Sequence, residues 1–518
     1  MLAKFLRGAA AAALVALGLT GAPGAARADD RPDLVVAVNA LPRSLESAEE
    51  MGNVDVRVTY NLFDSLIRRD FRADGQGASS ELVPSLAESW TRIDDHTIEL
   101  KLRQGVKFHN GEEMTAEDVA FSFSRARLIG AEPLMPEGRS YWSTLDRVQV
   151  VDPYTVRFIA KVPDVMLEQR LAGYASWIVN AKEYLTRGKD SFARNPVGTG
   201  PFKFVEWRDG DYVKLEAFDD YFGGTPTAKT ITFKVVPELS ARIAGLVSGE
   251  YDIIVNVPPD QIGTLERYDG VEPRSIVLDN SHVVVYNTNN PALDKPLRQA
   301  MNLAIDRALL RKALWLDRNY TPNGHQLASY IMYDAERPAL AYDIEQAKAL
   351  VKQSKYNGEE LVYRLIPEYY LNGLPAAQAL QQMWKEIGVN VKLEPVENFK
   401  QVRAEGWDIY PWSNTHRLPD PVGSFVPQWG PLSGIQSPTA ANWQPPSEFN
   451  KLDGIIQSSA NWDERKQAYK QALDIWEAEA PGTLLYNPLE TYGVKSSIDW
   501  LPYALYYMDF RPDNLTFK

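Results

Sequence analysis

The chain offers few residues of the kinds that do covalent or metal chemistry. Cysteine is absent, which removes thiol nucleophiles, thiolate metal sites, disulfides and a lipid-acceptor cysteine together. The five histidines, His96, His109, His282, His325 and His416, are scattered, and none has a second histidine at ligand spacing. No Gly-x-Ser-x-Gly elbow, His-Glu-x-x-His or Gly-x-Gly-x-x-Gly occurs. Gly198-Thr199-Gly200-Pro201 looks like a phosphate loop but lacks the Gly-Lys-Ser/Thr that would hold phosphate and metal, so a tight turn between strands is the expectation. Paired carboxylates such as Asp94-Asp95 read as solvated loop charge in an acidic chain.

Aromatic rings are the richer resource: 13 Trp, 25 Tyr and 18 Phe. Trp412, Trp429 and Trp443 fall within Tyr410 to Pro446, a stretch rich in Pro, Gly, Asn and Ser with little periodicity. Such rings either cover the core under a long loop or supply stacking faces to a small-molecule cleft, and both readings stay open here.

The elements that must position these groups follow from composition and periodicity. The chain has 518 residues, 45% hydrophobic and 24% charged, which predicts a folded protein of roughly three packing units. A net charge of -13 gives no basic footprint for nucleic acid or anionic membranes. Lys4 and Arg7 before the apolar run Ala9 to Leu19, then Ala26-Arg27-Ala28, predict a secretory signal cleaved after Ala28. Leu34 to Val38 reads as a buried strand feeding a helical stripe, Val56, Tyr60, Leu62, Phe63 and Leu66. Turn residues before Ile98–Leu102 and Val156–Phe158 predict two strands with one wet face each, and Thr115 to Asp118 resembles a capping box. Lys295 to Trp315 predicts one helix burying Leu297, Ala300, Met301, Ala304 and Leu309. Further helices are expected after Asp343, over Pro375 to Ile387 with Gly388 as cap and a strand from Val389, and over Asp463 to Ala480. Helix, glycine, strand is the rhythm of an α/β protein.

Several segments, in order along the chain, resemble the solute-binding proteins of the peptide/nickel group (family 5) that serve ABC importers. They are Leu82–Trp90, Leu102–Gly111 into Thr115–Val119, Pro196–Phe202, Tyr286–Thr288 and Leu297–Arg307. The resemblance implies an α/β, two-lobed periplasmic binding protein (class II-like, Venus-flytrap) with an extra subdomain inserted in lobe I. Lobe I would hold 29–63, 196–274 and 488–518, the insertion 64–195, and lobe II 275–487. It also implies ligand capture by hinge closure and delivery to permease subunits in the inner membrane, with no reaction, cofactor or nucleic acid. A monomer diffusing in the periplasm, without a lipid anchor, is expected.

In peptide-binding members of that family a Trp-x-x-Asp segment sets a carboxylate against the peptide's ammonium while nearby backbone pairs with the ligand. Here the matching stretch is Tyr410 to Asp420, and Thr415 stands at the carboxylate position. Asp420 lies in what looks like the family's following Asp-Pro turn, and Pro411 lacks a strand N–H. A buried ammonium needs a partner, so a neutral or acidic ligand is expected: an amino-acid derivative, an opine-like compound or an oligosaccharide. Trp412, Ser413, Asn414, Thr415, His416 and Arg417, with Tyr486 and Asn487 at the return crossing, are the predicted site, Trp412 stacking and Arg417 meeting a carboxylate. Alternatives are a peptide receptor with a different amine anchor, nickel or haem capture, which the few histidines argue against, and a secreted hydrolase, for which no nucleophile and base pair is visible.

Overall fold

The computed structural model describes residues 30–49, 51–130, 138, 141–367, 369–436 and 442–518, so the expected signal segment lies outside the described residues. Two sheets dominate. The first has seven strands in the order Val271–Val277, Leu489–Lys495, Ile253–Ile254, Asp33–Val38, Thr230–Val235, Tyr212–Ala217, Phe202–Arg208. Asp33–Val38 lies in its middle, parallel to both neighbours, which is why its sequence is apolar without alternation.

The second sheet has five strands: Val391–Pro395, Leu361–Leu365, Ile409–Thr415, Asn280–Tyr286 and Gly482–Tyr486. Every residue of Asn280–Tyr286 is buried, because helices cover both faces. Val284 and Tyr286 pack with Leu297, Met301 and Trp384, while Val283 and Val285 pack with Trp429 and Trp476. The chain passes between the sheets twice, after Val277 and after Tyr486, and the passages are tied by Leu278 N–H donating to Pro488 O at 3.0 Å. Residues between the first sheet's opening strands add a ribbon, Ile67–Asp70 with Glu81–Pro84, and a four-stranded antiparallel sheet, Ala87–Asp94, Thr97–Leu102, Thr155–Ala160, Leu145–Asp152.

Local signals hold where one residue decides. Thr115 N–H donates to Asp118 Oδ2 at 3.0 Å at the start of helix Ala116–Ser122. Asp343 Oδ1 accepts from Gln346 N–H at 2.9 Å, and Gly388, at φ +87°, follows helix Gly373–Glu386. Helix Trp462–Glu479 buries Tyr469, Ala472, Leu473 and Trp476 as expected.

Three expectations need correction. Lys295 to Trp315 is two helices, Lys295–Leu303 and Arg307–Trp315, because Asp306 Oδ1 accepts from Leu309 N–H at 2.9 Å and starts a new helix; Leu309 is 52% exposed. The stripe from Val56 to Leu66 is helical only over Asp55–Thr59, and Leu62, Phe63 and Leu66 reach the core through turns. Gly198 to Pro201 joins helix Lys189–Arg194 to a strand rather than two strands. Its glycines allow backbone approach: a Cβ on Gly198 would lie 2.0 Å from Leu62 O, and one on Gly200 2.5 Å from Asn61 O.

Candidate functional site

Strand Ile409–Thr415 pairs along its whole length with Asn280–Tyr286, from Asn280↔Thr415 to Tyr286↔Ile409. On its other side, among the described residues, only Ile409 is paired, with Tyr363. His416 N–H donates to Asp279 O and Asn287 N–H to Asp408 O, both at 2.8 Å, which sets the alternation of the ladder. Residues 410, 412 and 414 therefore direct their peptide groups at Asn280–Tyr286, and 411, 413 and 415 direct theirs at the other edge. Pro411 has no N–H, so Ser413 and Thr415 are the donors on that edge. Their side chains share a face with Asn280, whose Nδ2 donates to Ser413 Oγ at 2.6 Å and Thr415 Oγ1 at 2.9 Å, and with His282.

The opposite face carries a buried network. Asn414 Oδ1 accepts from Trp429 Nε1 at 3.2 Å and from His325 Nε2 at 2.7 Å, so His325 is protonated at Nε2. Ser281 Oγ donates to Asn487 Oδ1 at 3.2 Å, which leaves His416 Nε2 as donor to Ser281 Oγ at 2.9 Å and His416 Nδ1 as acceptor from Tyr330 OH at 2.6 Å. Burial holds His325 down at about 4 and His416 well below its ordinary range, so both imidazoles are neutral. Asn487 Nδ2 continues the chain to Tyr320 OH at 3.0 Å. Asn414 Oδ1, both ring nitrogens of His416 and the Asn487 amide, expected to line a cleft, are instead engaged inside this network, which ties the return passage between the sheets.

The remaining predicted residues are spread out. Trp412 is half-buried on the network's face, 6.4 Å from Trp429 between ring centroids, with Arg403 at 5.3 Å over its ring. Trp429 and Trp443 are core residues, which decides the reading of those two rings. Tyr486 is buried between His282 and Trp315, at 5.5 and 5.2 Å. Arg417 leaves the second sheet altogether: it hydrogen-bonds Tyr141 OH and lies over the Tyr174 ring at 4.4 Å.

A pocket between the two sheets was not foreseen. Asn39, Asn53, Arg57, Asn256, Glu490 and Tyr506 come from one side, and His282, Tyr369 and Tyr370 from the other. Arg57, 2% exposed, donates from Nη1 to Asn39 Oδ1 at 3.3 Å and from Nη2 to Asn256 Oδ1 at 3.0 Å, with Glu490 at 3.5 Å. Its Nε has no hydrogen-bond partner among the described residues. Burial pushes the Glu490 carboxyl up, opposed by the Arg57 charge, and pushes His282 down to about 3, so His282 is neutral. The space left is about 20 Å³, room for one water, so a ligand here requires the two sides to part. These residues lie on separate strands, turns and helices, and no local motif joins them.

Two sheets crossed twice, with a polar pocket between them and a strand edge left half-unpaired in the second, define a two-lobed binding protein. The chain belongs to the bacterial extracellular solute-binding proteins, family 5, whose middle-region model matches residues 81–434. It is 26% identical over 511 residues to the oligopeptide-binding protein AppA of Bacillus subtilis, covering 91% of this chain and 89% of the relative. Its fold is similar to that of the dipeptide-binding protein of Pseudoalteromonas sp. SM9913 in complex with Met-Leu, with a TM-score of 0.85, 21% identity, and 94% and 100% of the two chains covered. The periplasmic binding protein AgaA of A. tumefaciens R10 in complex with agropinic acid matches with a TM-score of 0.82, 22% identity, and 94% and 99% covered. The chain is thus the substrate-binding component of an ABC importer, a receptor and not an enzyme. No helix among the described residues is long and apolar enough to cross a membrane.

Proposed function

We propose that this receptor takes a small neutral or acidic solute, an amino-acid derivative, opine-like compound or oligosaccharide, and hands it to inner-membrane permease subunits as a monomer in the periplasm. The carrying observation is Thr415. Its peptide N–H points to the edge where a ligand can pair, while its hydroxyl accepts from Asn280 and offers no negative charge to an ammonium group. Ser413 and Thr415 N–H groups would hold the ligand's backbone or hydroxyls, and Arg57, with an unused Nε–H in the interlobe pocket, would meet an acidic group. We take lobe I as 29–63, 196–274 and 488–518, the insertion as 64–195 and lobe II as 275–487, so the pocket sits where the lobes meet. An N-terminal signal removed after Ala28, with no lipid anchor, fits this placement.

A second reading, a short-peptide receptor with another amine anchor, is favoured by the free edge at Ser413 and Thr415 and by Glu490, a buried carboxylate in the same pocket. A thermal-shift panel of agropinic acid, Met-Leu, a tripeptide and a trisaccharide separates the two. Saturable stabilisation by agropinic acid or the sugar, with none from Met-Leu, supports the first reading. Tight calorimetric binding of peptides with a free amino terminus overturns it.

A further inference from the structure

The inserted subdomain touches lobe II as well as lobe I. Met166, just before helix Leu167–Leu171, is 1% exposed and belongs to lobe II's apolar cluster with Leu418, Val422 and Phe425, while Val165 packs against the same cluster. Beyond that helix, Gly173 approaches Leu418 so closely that a Cβ there would stand 2.9 Å from Leu418 Cδ2. Arg417 of lobe II lies between the rings of Tyr141 and Tyr174, 4.9 and 4.4 Å from their centroids, and hydrogen-bonds the Tyr141 hydroxyl. Ser143 Oγ donates to Gln457 Oε1 at 2.8 Å, and Gln457 is itself oriented by its Nε2 bond to Asp453 Oδ2 at 2.5 Å.

These contacts are an apolar plug, a cation between two rings and a polar bridge, all joining one subdomain to the opposite lobe. Each is made entirely by protein groups. A ligand shifts an open–closed equilibrium only by its differential affinity for the two states, so contacts of this kind set where the equilibrium lies before ligand arrives. We propose that the inserted subdomain is a ligand-independent latch, in which Met166 and Arg417 hold the empty receptor partly closed. Arg417 is then a determinant of closure, whichever solute the pocket takes.

The absence of cysteine makes a direct test simple. Leu185→Cys on the subdomain and Leu309→Cys on lobe II, at positions 69% and 52% exposed, carry spin labels in the full ligand-free chain. The distance distribution is then read by pulsed dipolar spectroscopy. The latch predicts a short-distance population in the empty protein, depleted at least several-fold in Arg417→Gln and, independently, in Met166→Ala, with circular dichroism confirming that each is folded. A ligand-free distribution with only the long distance overturns the proposal. So does a short population that persists in a folded Arg417→Gln or Met166→Ala variant. Arg417→Lys, which keeps the charge but loses the planar contact with two rings, is the fallback if Arg417→Gln does not fold; it too must lose short-distance population.

Discussion

Arg57 and Glu490 show how a buried charge is tolerated in the pocket between the sheets. Each side chain is almost wholly enclosed, and the two face each other at 3.5 Å, supported by Asn39 and Asn256, with the Arg242 charge also acting on Glu490. Removing one partner strands the other, so Arg57→Met should cost about 3–5 kcal/mol in urea denaturation. Adding Glu490→Gln should recover most of that loss, and a double variant as unstable as the single one would contradict the pairing. Asp453 is the opposite case, a carboxyl with Gln457 as its one partner and with Oδ1 unpartnered among the described residues. Burial raises it to about 7 from an ordinary 3.8. The folded state therefore holds the proton more tightly than the unfolded chain. The stability this contributes is complete below about pH 4 and is lost as pH rises through 7, on the order of 4 kcal/mol in all. Asp453→Asn should raise the melting temperature at pH 8 by several degrees and leave it nearly unchanged at pH 4, measured by calorimetry across that range.

At the scale of elements, single capping residues outweighed long apolar patterns. The periodicity through Lys295 to Trp315 is genuine, since Leu297, Ala300, Met301 and Leu310 are all buried, yet Asp306 interrupts it with its own cap. Asp306→Ala should destabilise the protein by about 1 kcal/mol in the same denaturation assay, with no effect on ligand binding, because it removes one helix-end acceptor that is no part of the pocket lining. Strand Ile409–Thr415 makes the complementary point. Pro, Ser and Asn made the stretch read as loop, but burial of its neighbours and pairing with Asn280–Tyr286 impose a strand. Once it is a strand, the period of two decides everything: Ser413 and Thr415 turn toward Asn280 and His282, while Asn414 and His416 turn into the lobe. Six consecutive residues named as one site are thereby divided between two faces, with Arg417 turned to Tyr141 and Tyr174.

At the scale of the whole molecule, function depends on how two lobes meet. The passages after Val277 and after Tyr486 run side by side, and the network from Tyr330 through His416 and Ser281 to Asn487 anchors one of them inside lobe II. In the proposed closure, the short segments between the sheets would carry the motion, and the pocket on one side and the subdomain contacts on the other would open or close with it. The sequence by itself determined the class of protein, because that information is local and serial: the family segments appear in order, the caps at Thr115, Asp343 and Gly388 act within four residues, and missing cysteine removes thiol chemistry. It also singled out Thr415, the residue on which the proposed ligand class rests. Only the tertiary structure decided which residues share the cleft. Arg57, Asn256, His282, Tyr370 and Glu490 converge from segments hundreds of residues apart, and Arg417 is claimed by aromatic rings of the insertion. Those outcomes depend on strand register and on lobe-to-lobe contact, which no local pattern of residues encodes.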